Sequence, residues 1–230
     1  MIREERPPIA LPPSVPLIAP EGFGARLDAI DAPVSATTLA RLGDFLARML
    51  AMNEQMNLTA IKDPEGAWER HILDALTLLP LLAGVPASAR LVDIGSGGGI
   101  PGIVLAIARP DLQVTLVEAT QKKAAFLSAV SEAMGLSNVE VLAERAEKLG
   151  KGELRDAFDV VTARAVARLE ALAPLTLPFA RPGGLVLLIK GARADEELEE
   201  ARKVIAKQHA VHEKTIATPT GRVVVLRRRP

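Results

Sequence analysis

Apolar residues change their spacing three times along the chain. From residue 35 they recur at three- and four-residue intervals, as in Leu39, Leu42, Phe45, Leu46, Met49 and Leu50, which predicts an amphipathic helix capped by Ser35 or Thr37. A second helix is predicted to open at Asp63-Pro64 and to carry Trp68, Ile72, Leu73, Leu76 and Leu79 toward Pro80. After Pro86 short apolar runs of strand length, at 91–94, 114–117, 139–142, 158–162 and 185–189, alternate with helical patterns at 101–109, 121–134, 169–179 and 195–207. Strands that alternate with helices predict a doubly wound α/β sheet with right-handed crossovers. The rhythm changes once more at the end, where runs at 212–217 and 222–227 flank Thr218-Pro219-Thr220-Gly221 and read as a hairpin. Three segments result: 1–34, a helical segment over 35–85 and an α/β domain over 86–230. In the first, seven of the 17 prolines interrupt any period, so it reads as an extended or disordered lead-in.

Composition narrows the chemistry. A chain of 230 residues, 49% of them hydrophobic, has enough apolar surface for a core without covalent staples. With no cysteine it has no disulfide framework, thiolate zinc site, iron–sulfur cluster or cysteine nucleophile. The histidines, His71, His209 and His212, are not spaced as a metal-binding pair on one helix, so no catalytic metal is expected. The 28 basic and 28 acidic residues balance, which argues against binding nucleic acid by bulk charge but leaves room for a local basic face. Five Phe and Trp68 are too few aromatics for a surface that stacks many bases. Charges at Arg3, Glu4, Glu5 and Arg6 followed by prolines do not make a secretion signal, and no apolar run approaches membrane-spanning length. The expected location is the cytoplasm.

The most informative stretch is Leu91-Val92-Asp93-Ile94-Gly95-Ser96-Gly97-Gly98-Gly99-Ile100-Pro101-Gly102. A predicted strand runs through glycines into a helix, the place where a doubly wound sheet holds a ligand. Glycines there let the backbone approach closely and adopt positive φ. A dinucleotide loop needs its third glycine at position 100, which is Ile, and no Gly-Lys-Ser/Thr follows for a nucleotide triphosphate loop. The spacing is instead Gly-x-Gly-x-Gly over 95, 97 and 99, two residues after Asp93. Glu118, at the end of the second strand, is placed to accept both hydroxyls of a ribose; the plainer reading is a solvated acid ahead of the helix at Gln121. After the third strand, Glu144, Glu147 and Lys148 also fit an ordinary charged helix start. Lys122 and Lys123 fall in the first turn of a helix, where cations are disfavoured, and phosphate binding explains them about as well as simple tolerance.

The glycine spacing, with Asp93 before it and a closing hairpin after five helix-linked strands, resembles class I methyltransferases, which bind S-adenosylmethionine on a Rossmann-like sheet whose last strand is antiparallel. In that fold the loop after the third strand contacts adenine, which points to Ala146 and Glu147. Thr162-Ala163-Arg164-Ala165-Val166 stands where amino-group methyltransferases carry Asn/Asp-Pro-Pro-Tyr/Phe, which disfavours that chemistry. Pyrimidine C5 methylation needs the missing cysteine. Guanine N7 has an in-plane lone pair and no proton, so its methylation needs alignment and no general base.

Together with Asn57-Leu58-Thr59-Ala60-Ile61, Arg70-His71-Ile72-Leu73-Asp74 and Ala163-Arg164-Ala165, the glycine string resembles the ribosomal RNA small subunit methyltransferase G family, also called glucose-inhibited division protein B, over residues 35–217. The resemblance implies N7 methylation of guanine 527 in bacterial 16S rRNA, within the small ribosomal subunit, by a monomer using S-adenosylmethionine and no metal. It implies cofactor contacts at Gly95, Gly97, Gly99, Ile100, Glu118, Ala119, Thr120, Ala146, Glu147 and Arg164, with no catalytic acid or base. Arg164, Lys190, Lys122 and Lys123 become candidates for RNA contact. The plainer readings are a structural ion pair for Arg164, a solvated strand end for Lys190 and a solvated terminus for Arg227 to Arg229, which otherwise touch RNA. Trp68 and His71 read as packing and capping residues. The rivals are a methyltransferase for a small molecule or protein, a non-catalytic nucleoside-binding module and, more distantly, a dinucleotide oxidoreductase.

Overall fold

The computed structural model describes residues 9–164 and 167–230. Its strands, β1 (Arg90–Ile94), β2 (Gln113–Val117), β3 (Val139–Leu142), β4 (Phe158–Arg164), β5 (Ala180–Lys190), β6 (Ala210–Thr218) and β7 (Gly221–Arg228), form one sheet in the order β3-β2-β1-β4-β5-β7-β6. The first five are parallel because a helical connection returns the chain to the same end of the sheet before each new strand. β7 is antiparallel to both β5 and β6, since only Pro219 and Thr220 separate the paired Thr218 and Gly221. The helices are α1 (Phe23–Asp28), α2 (Ala36–Asn53), α3 (Pro64–Ala67), α4 (Asp74–Leu76), α5 (Gly102–Ala108), α6 (Gln121–Ala133), α7 (Ala146–Leu149), α8 (Leu169–Thr176) and α9 (Ala194–Lys207), with a π turn, Trp68–Leu73, joining α3 to α4. Among the described residues no helix is long and apolar enough to cross a membrane.

Alternation along the strands sends side chains to two cores. Leu91, Val114, Leu116 and Val160 pack with Phe45 and Met49 of α2, Ile103 of α5 and Phe126 and Leu127 of α6. Val92, Ile94, Val161, Val186 and Leu188 pack on the other face with Leu172 of α8 and Leu198 and Ile205 of α9. The helical segment therefore shares its core with the sheet. The caps read from the sequence are in place: the Ser35 hydroxyl accepts from the Thr38 amide at 3.1 Å, and the Asp63 carboxylate from the Gly66 amide at 2.6 Å, with Pro64 opening α3.

Two expectations change. The lead-in, read as extended or disordered, holds helix α1 and a buried strip: Phe23, Leu27 and Ala32 are each 1% exposed. The Phe23 ring meets Trp68 edge-on with centroids 5.0 Å apart. Proline density reports lost periodicity, not lost burial, and Phe23, Leu27 and Ala32 dock the segment. The crossing is close, since the Leu17 amide donates to the Gly43 carbonyl at 3.1 Å and a Cβ on Gly43 would lie 2.0 Å from the Leu17 oxygen. Residues 1–8 lie outside the described residues. Of the basic terminus, Arg227 and Arg228 are also not a solvated tail, whereas Arg229, past the end of β7, is exposed. Arg228, 7% exposed, donates to the Asp156 carboxylate at 2.7 Å and to the Gln208 carbonyl, and Arg227 pairs with Glu213 and donates to the Gly183 carbonyl at 2.8 Å. The cause is strand order: β7 lies inside the sheet, where a guanidinium must find partners.

Replacing Gly43 with Ala should lift the lead-in off α2 and cost ~1–3 kcal/mol, as overpacking does. Amide exchange should quicken at Leu17 while the strand amides stay protected. Undisturbed exchange at Leu17 would show that the crossing does not hold the lead-in.

Candidate functional site

The loop after β1 is set by three left-handed glycines, Gly95 at φ 71°, Gly97 at 55° and Gly99 at 93°. It is tied to the end of β2, where the Val117 carbonyl accepts from the Gly95 and Ser96 amides at 2.9 and 3.1 Å. The glycines then divide the work. Gly95 and Gly97 are half-buried at the sheet edge, and a Cβ on Gly97 would find nothing closer than the Gly95 oxygen at 3.8 Å, so open space lies beside the loop. Gly99 faces inward: its Cβ would fall 2.7 Å from Ile103, 3.1 Å from Phe45 and 3.2 Å from Leu127. A glycine is therefore needed at this position for α2 and α6 to close on the loop. The Ile100 side chain, 6% exposed, likewise belongs to the core.

Two carboxylates brace this loop. Glu118, 7% exposed, accepts from the Gly97 amide at 2.9 Å and from the Thr120 amide at 2.7 Å, so it is no solvated acid. Two of its roughly four lone-pair positions remain for a ligand. Asp93, 1% exposed, accepts from the Thr162 hydroxyl at 2.8 Å and the Gly102 amide at 3.2 Å, which holds β1, β4 and the start of α5 together. Burial pushes its carboxyl up to about 6, and the hydrogen bonds and the Arg164 charge act against that rise. Gly102 permits the approach, since a Cβ there would lie 2.8 Å from the Asp93 carboxylate and 2.3 Å from Leu116.

The helical segment roofs the loop. A Cβ on Gly98 would fall 3.5 Å from the Leu58 Cβ, and the Asn53 side-chain oxygen fixes that turn by accepting from the Leu58 and Thr59 amides at 2.8 and 2.9 Å. Arg164, last in β4, reaches up into the π turn. Its Nη1 donates to the Arg70 carbonyl at 2.7 Å and to Asp74 at 3.3 Å, and its Nη2 stands 3.2 Å from His71 Nδ1. The other Asp74 oxygen accepts from the Thr220 hydroxyl in the hairpin turn, and Arg70 donates to the Thr220 carbonyl at 3.3 Å. His71 is 2% exposed, and burial first, then the Arg164 charge, lowers its pKa to about 4. Thr59, Asp74, Thr162 and Thr220 had no role in the sequence reading. Three of them sit in or beside its motifs, and only their partners from distant strands reveal what they do.

The remaining candidates separate. Ala119 and Thr120 are exposed just past Glu118; Lys122 is exposed and Lys123 half-buried in the first turn of α6. Ala146 and Glu147 open α7, half-buried and exposed. Lys190 is not a solvated strand end. Its ammonium donates to the Ala167 carbonyl at 2.6 Å and pairs with Glu197 at 2.8 Å, with a side chain 7% exposed. Glu197 also accepts from the Leu169 amide at 3.0 Å, so Lys190 fastens α9 to the start of α8. Ala165 and Val166 lie outside the described residues.

A family profile for rRNA small subunit methyltransferase G matches residues 38–224. The chain belongs to that family. It is 64% identical over 225 residues to the ribosomal RNA small subunit methyltransferase G of Sorangium cellulosum, covering 98% of this chain and 94% of that one. The counterpart from Lactobacillus delbrueckii is 39% identical over 190 residues, 82% of this chain and 80% of that one. Among solved structures, a SAM-dependent methyltransferase from Aquifex aeolicus superposes with a TM-score of 0.54 at 16% identity, over 72% of this chain and 93% of its own, which shows a shared fold. The family match begins past the lead-in, whereas the Sorangium alignment takes in nearly all of it.

The Asp93 carboxyl sets a pH dependence for stability. Its folded-state pKa of about 6 lies above the unfolded 3.8, so between those values the folded chain holds the extra proton. Stability from this group is full below the unfolded value and is lost as pH rises through 6, an effect on the order of 3 kcal/mol. In urea unfolding, the native protein should gain on Asp93→Asn as pH falls from 7 to 5. Parallel profiles would place the titration elsewhere.

Proposed function

We propose that this chain methylates N7 of guanine 527 in 16S rRNA, using S-adenosylmethionine and working on the small ribosomal subunit in the cytoplasm as a monomer. Membership of the methyltransferase G family carries the reading. The balanced charge and few aromatics favour an assembled subunit, whose shape supplies part of the recognition, over naked RNA.

The residues fit the cofactor. A Cβ on Gly97 would meet only the Gly95 oxygen, at 3.8 Å, so the space beside the loop is open to a ligand, and Glu118 keeps acceptor positions for two ribose hydroxyls. Gly95 and Gly97 would lie against the methionine and ribose, Ala119 and Thr120 along the ribose and adenine edge, and Ala146 and Glu147 at the adenine. When bound, S-adenosylmethionine supplies a sulfonium methyl that an in-plane lone pair can take directly. The protein's task is alignment, which for well-oriented partners accounts for ~7–11 kcal/mol of a barrier.

Arg164 has a narrower part than a general contact to guanine. A guanidinium bonded to the O6 and N7 edge would occupy the lone pair that must react, and the ring becomes cationic as it is methylated. A phosphate of the incoming strand suits it better. Lys122 and Lys123 fit the same backbone.

The direct test incubates the protein with labelled S-adenosylmethionine and small subunits from a strain lacking it, then maps the modified nucleotide. One N7-methylguanine at position 527 is expected; label in proteins or small molecules only would discard the ribosomal assignment. Glu118→Ala should weaken S-adenosylmethionine binding roughly ten- to hundredfold, as loss of a charge-assisted hydrogen bond of ~1.5–3 kcal/mol implies. Unchanged affinity by calorimetry would remove Glu118 from the site.

A further inference from the structure

We propose that His71 is a positioning residue for methyl transfer: a neutral imidazole, protonated on Nε2, that accepts from Arg164 and donates to Thr59, so that the arginine and the roof over the glycine loop share one arrangement. The proposal rests on the reading of Arg164 given under Proposed function.

The tautomer follows from the donors around the ring. Arg164 has N–H groups only, so the 3.2 Å contact from its Nη2 requires a lone pair on His71 Nδ1. Nδ1 also lies 3.1 Å from the Arg70 carbonyl, which has a second lone pair besides the one that takes Arg164 Nη1 at 2.7 Å, so the Nη2 contact alone decides the tautomer. A proton on Nδ1 would set two donors against each other beside it. The single proton of the neutral ring therefore belongs on Nε2, 2.9 Å from the Thr59 hydroxyl, which also accepts from the Ile61 amide at 3.1 Å. Burial keeps the ring neutral at working pH. The charged groups facing it are Arg164 from β4 and Arg70 and Asp74 from its own segment.

The consequence lies on the far side of the guanidinium. Of its five N–H groups, three go to the Arg70 carbonyl, Asp74 and His71. Among the described residues the Nε–H and one Nη2–H, which share an edge, have no partner. That edge matches two oxygens of one phosphate. Asp74 keeps the charge in place; His71 holds the Nη2 end, and so the direction of the free edge. A misplacement of about 1 Å at a reacting centre costs on the order of a hundredfold in rate.

Two variants separate this role from packing. Asn at position 71 places an acceptor where Nδ1 stood, whereas Gln places its amide where Nε2 stood and leaves nothing at Nδ1. In single-turnover transfer to small subunits, His71→Asn should stay within about threefold of the native rate and His71→Gln should fall ten- to hundredfold, with matched melting temperatures and unchanged S-adenosylmethionine affinity. Equal losses that track stability, no loss in either, or the reverse order would overturn the proposal. The arrangement has its own readout, independent of substrate: 15N spectra should show His71 Nδ1 unprotonated and Nε2 protonated, with the Nδ1 signal moving in Arg164→Ala. The opposite tautomer would overturn the proposal even with RNA methylation intact. The expected tautomer in a protein that leaves RNA unlabelled would instead count against the ribosomal reading alone.

Discussion

One carboxylate joins the three parts of this molecule. Asp74, 6% exposed, gives one oxygen to Arg164 at the end of β4 and the other to Thr220 in the hairpin turn, while its own backbone belongs to the helical segment. A buried carboxylate is tolerated only when its lone pairs are met, and breaking a buried pair by removing one partner costs ~3–5 kcal/mol. The same demand that stabilises Asp74 therefore dictates where the roof sits over the sheet edge. A sheet of this kind carries its ligand site wherever the strands end, but here the site acquires its upper wall from residues more than a hundred positions away from the hairpin that steadies it.

Below that wall the glycine loop does two unlike jobs within five residues. Gly97 leaves room at the edge, whereas Gly99, and Gly102 beyond it, leave room in the interior for Phe45, Leu127 and the Asp93 carboxylate. The motif reads as a ligand-binding string, yet half of it exists so that α5 can start close to β1. Its two roles are coupled, because the backbone that opens to the ligand is the one braced by Glu118 and Asp93 from beneath.

The strands, the order of helices, the hairpin and the glycine loop were all legible, since each is written in the spacing of neighbours along the chain. Arg164 was legible as a choice between ion pair and ligand contact, and the geometry gives it the ion pair, to Asp74. What was not legible depends on carbonyls and charges brought from elsewhere. Lys190 read as an RNA contact or a strand end in solvent, but β5 runs between β4 and β7, and the covered end delivers the ammonium to Ala167 and Glu197. Arg228 was misread for the same reason. His71 could be quoted but not explained, because its two partners come from a strand and a turn on either side of it. The lead-in was misjudged differently: its prolines hid that Leu17 crosses α2 at Gly43, that Phe23 meets Trp68 and that Leu27 is buried with them in the same core.

The position of β7 between β5 and β6 has a consequence for how the molecule comes into being. The strand made last fills the gap between two made earlier, so β6 has no neighbour in the sheet until β7 arrives, and β5 keeps a bare edge. On a ribosome, which emits the chain from its N-terminus, the first four neighbours β3, β2, β1 and β4 can pair as they emerge. The hairpin turn cannot settle against Asp74 until synthesis has passed Gly221. Nascent chains thus carry a sheet that stops at β5, with the roof tied to β4 through Arg164 but not yet to the hairpin, until the residues of β7 have been made.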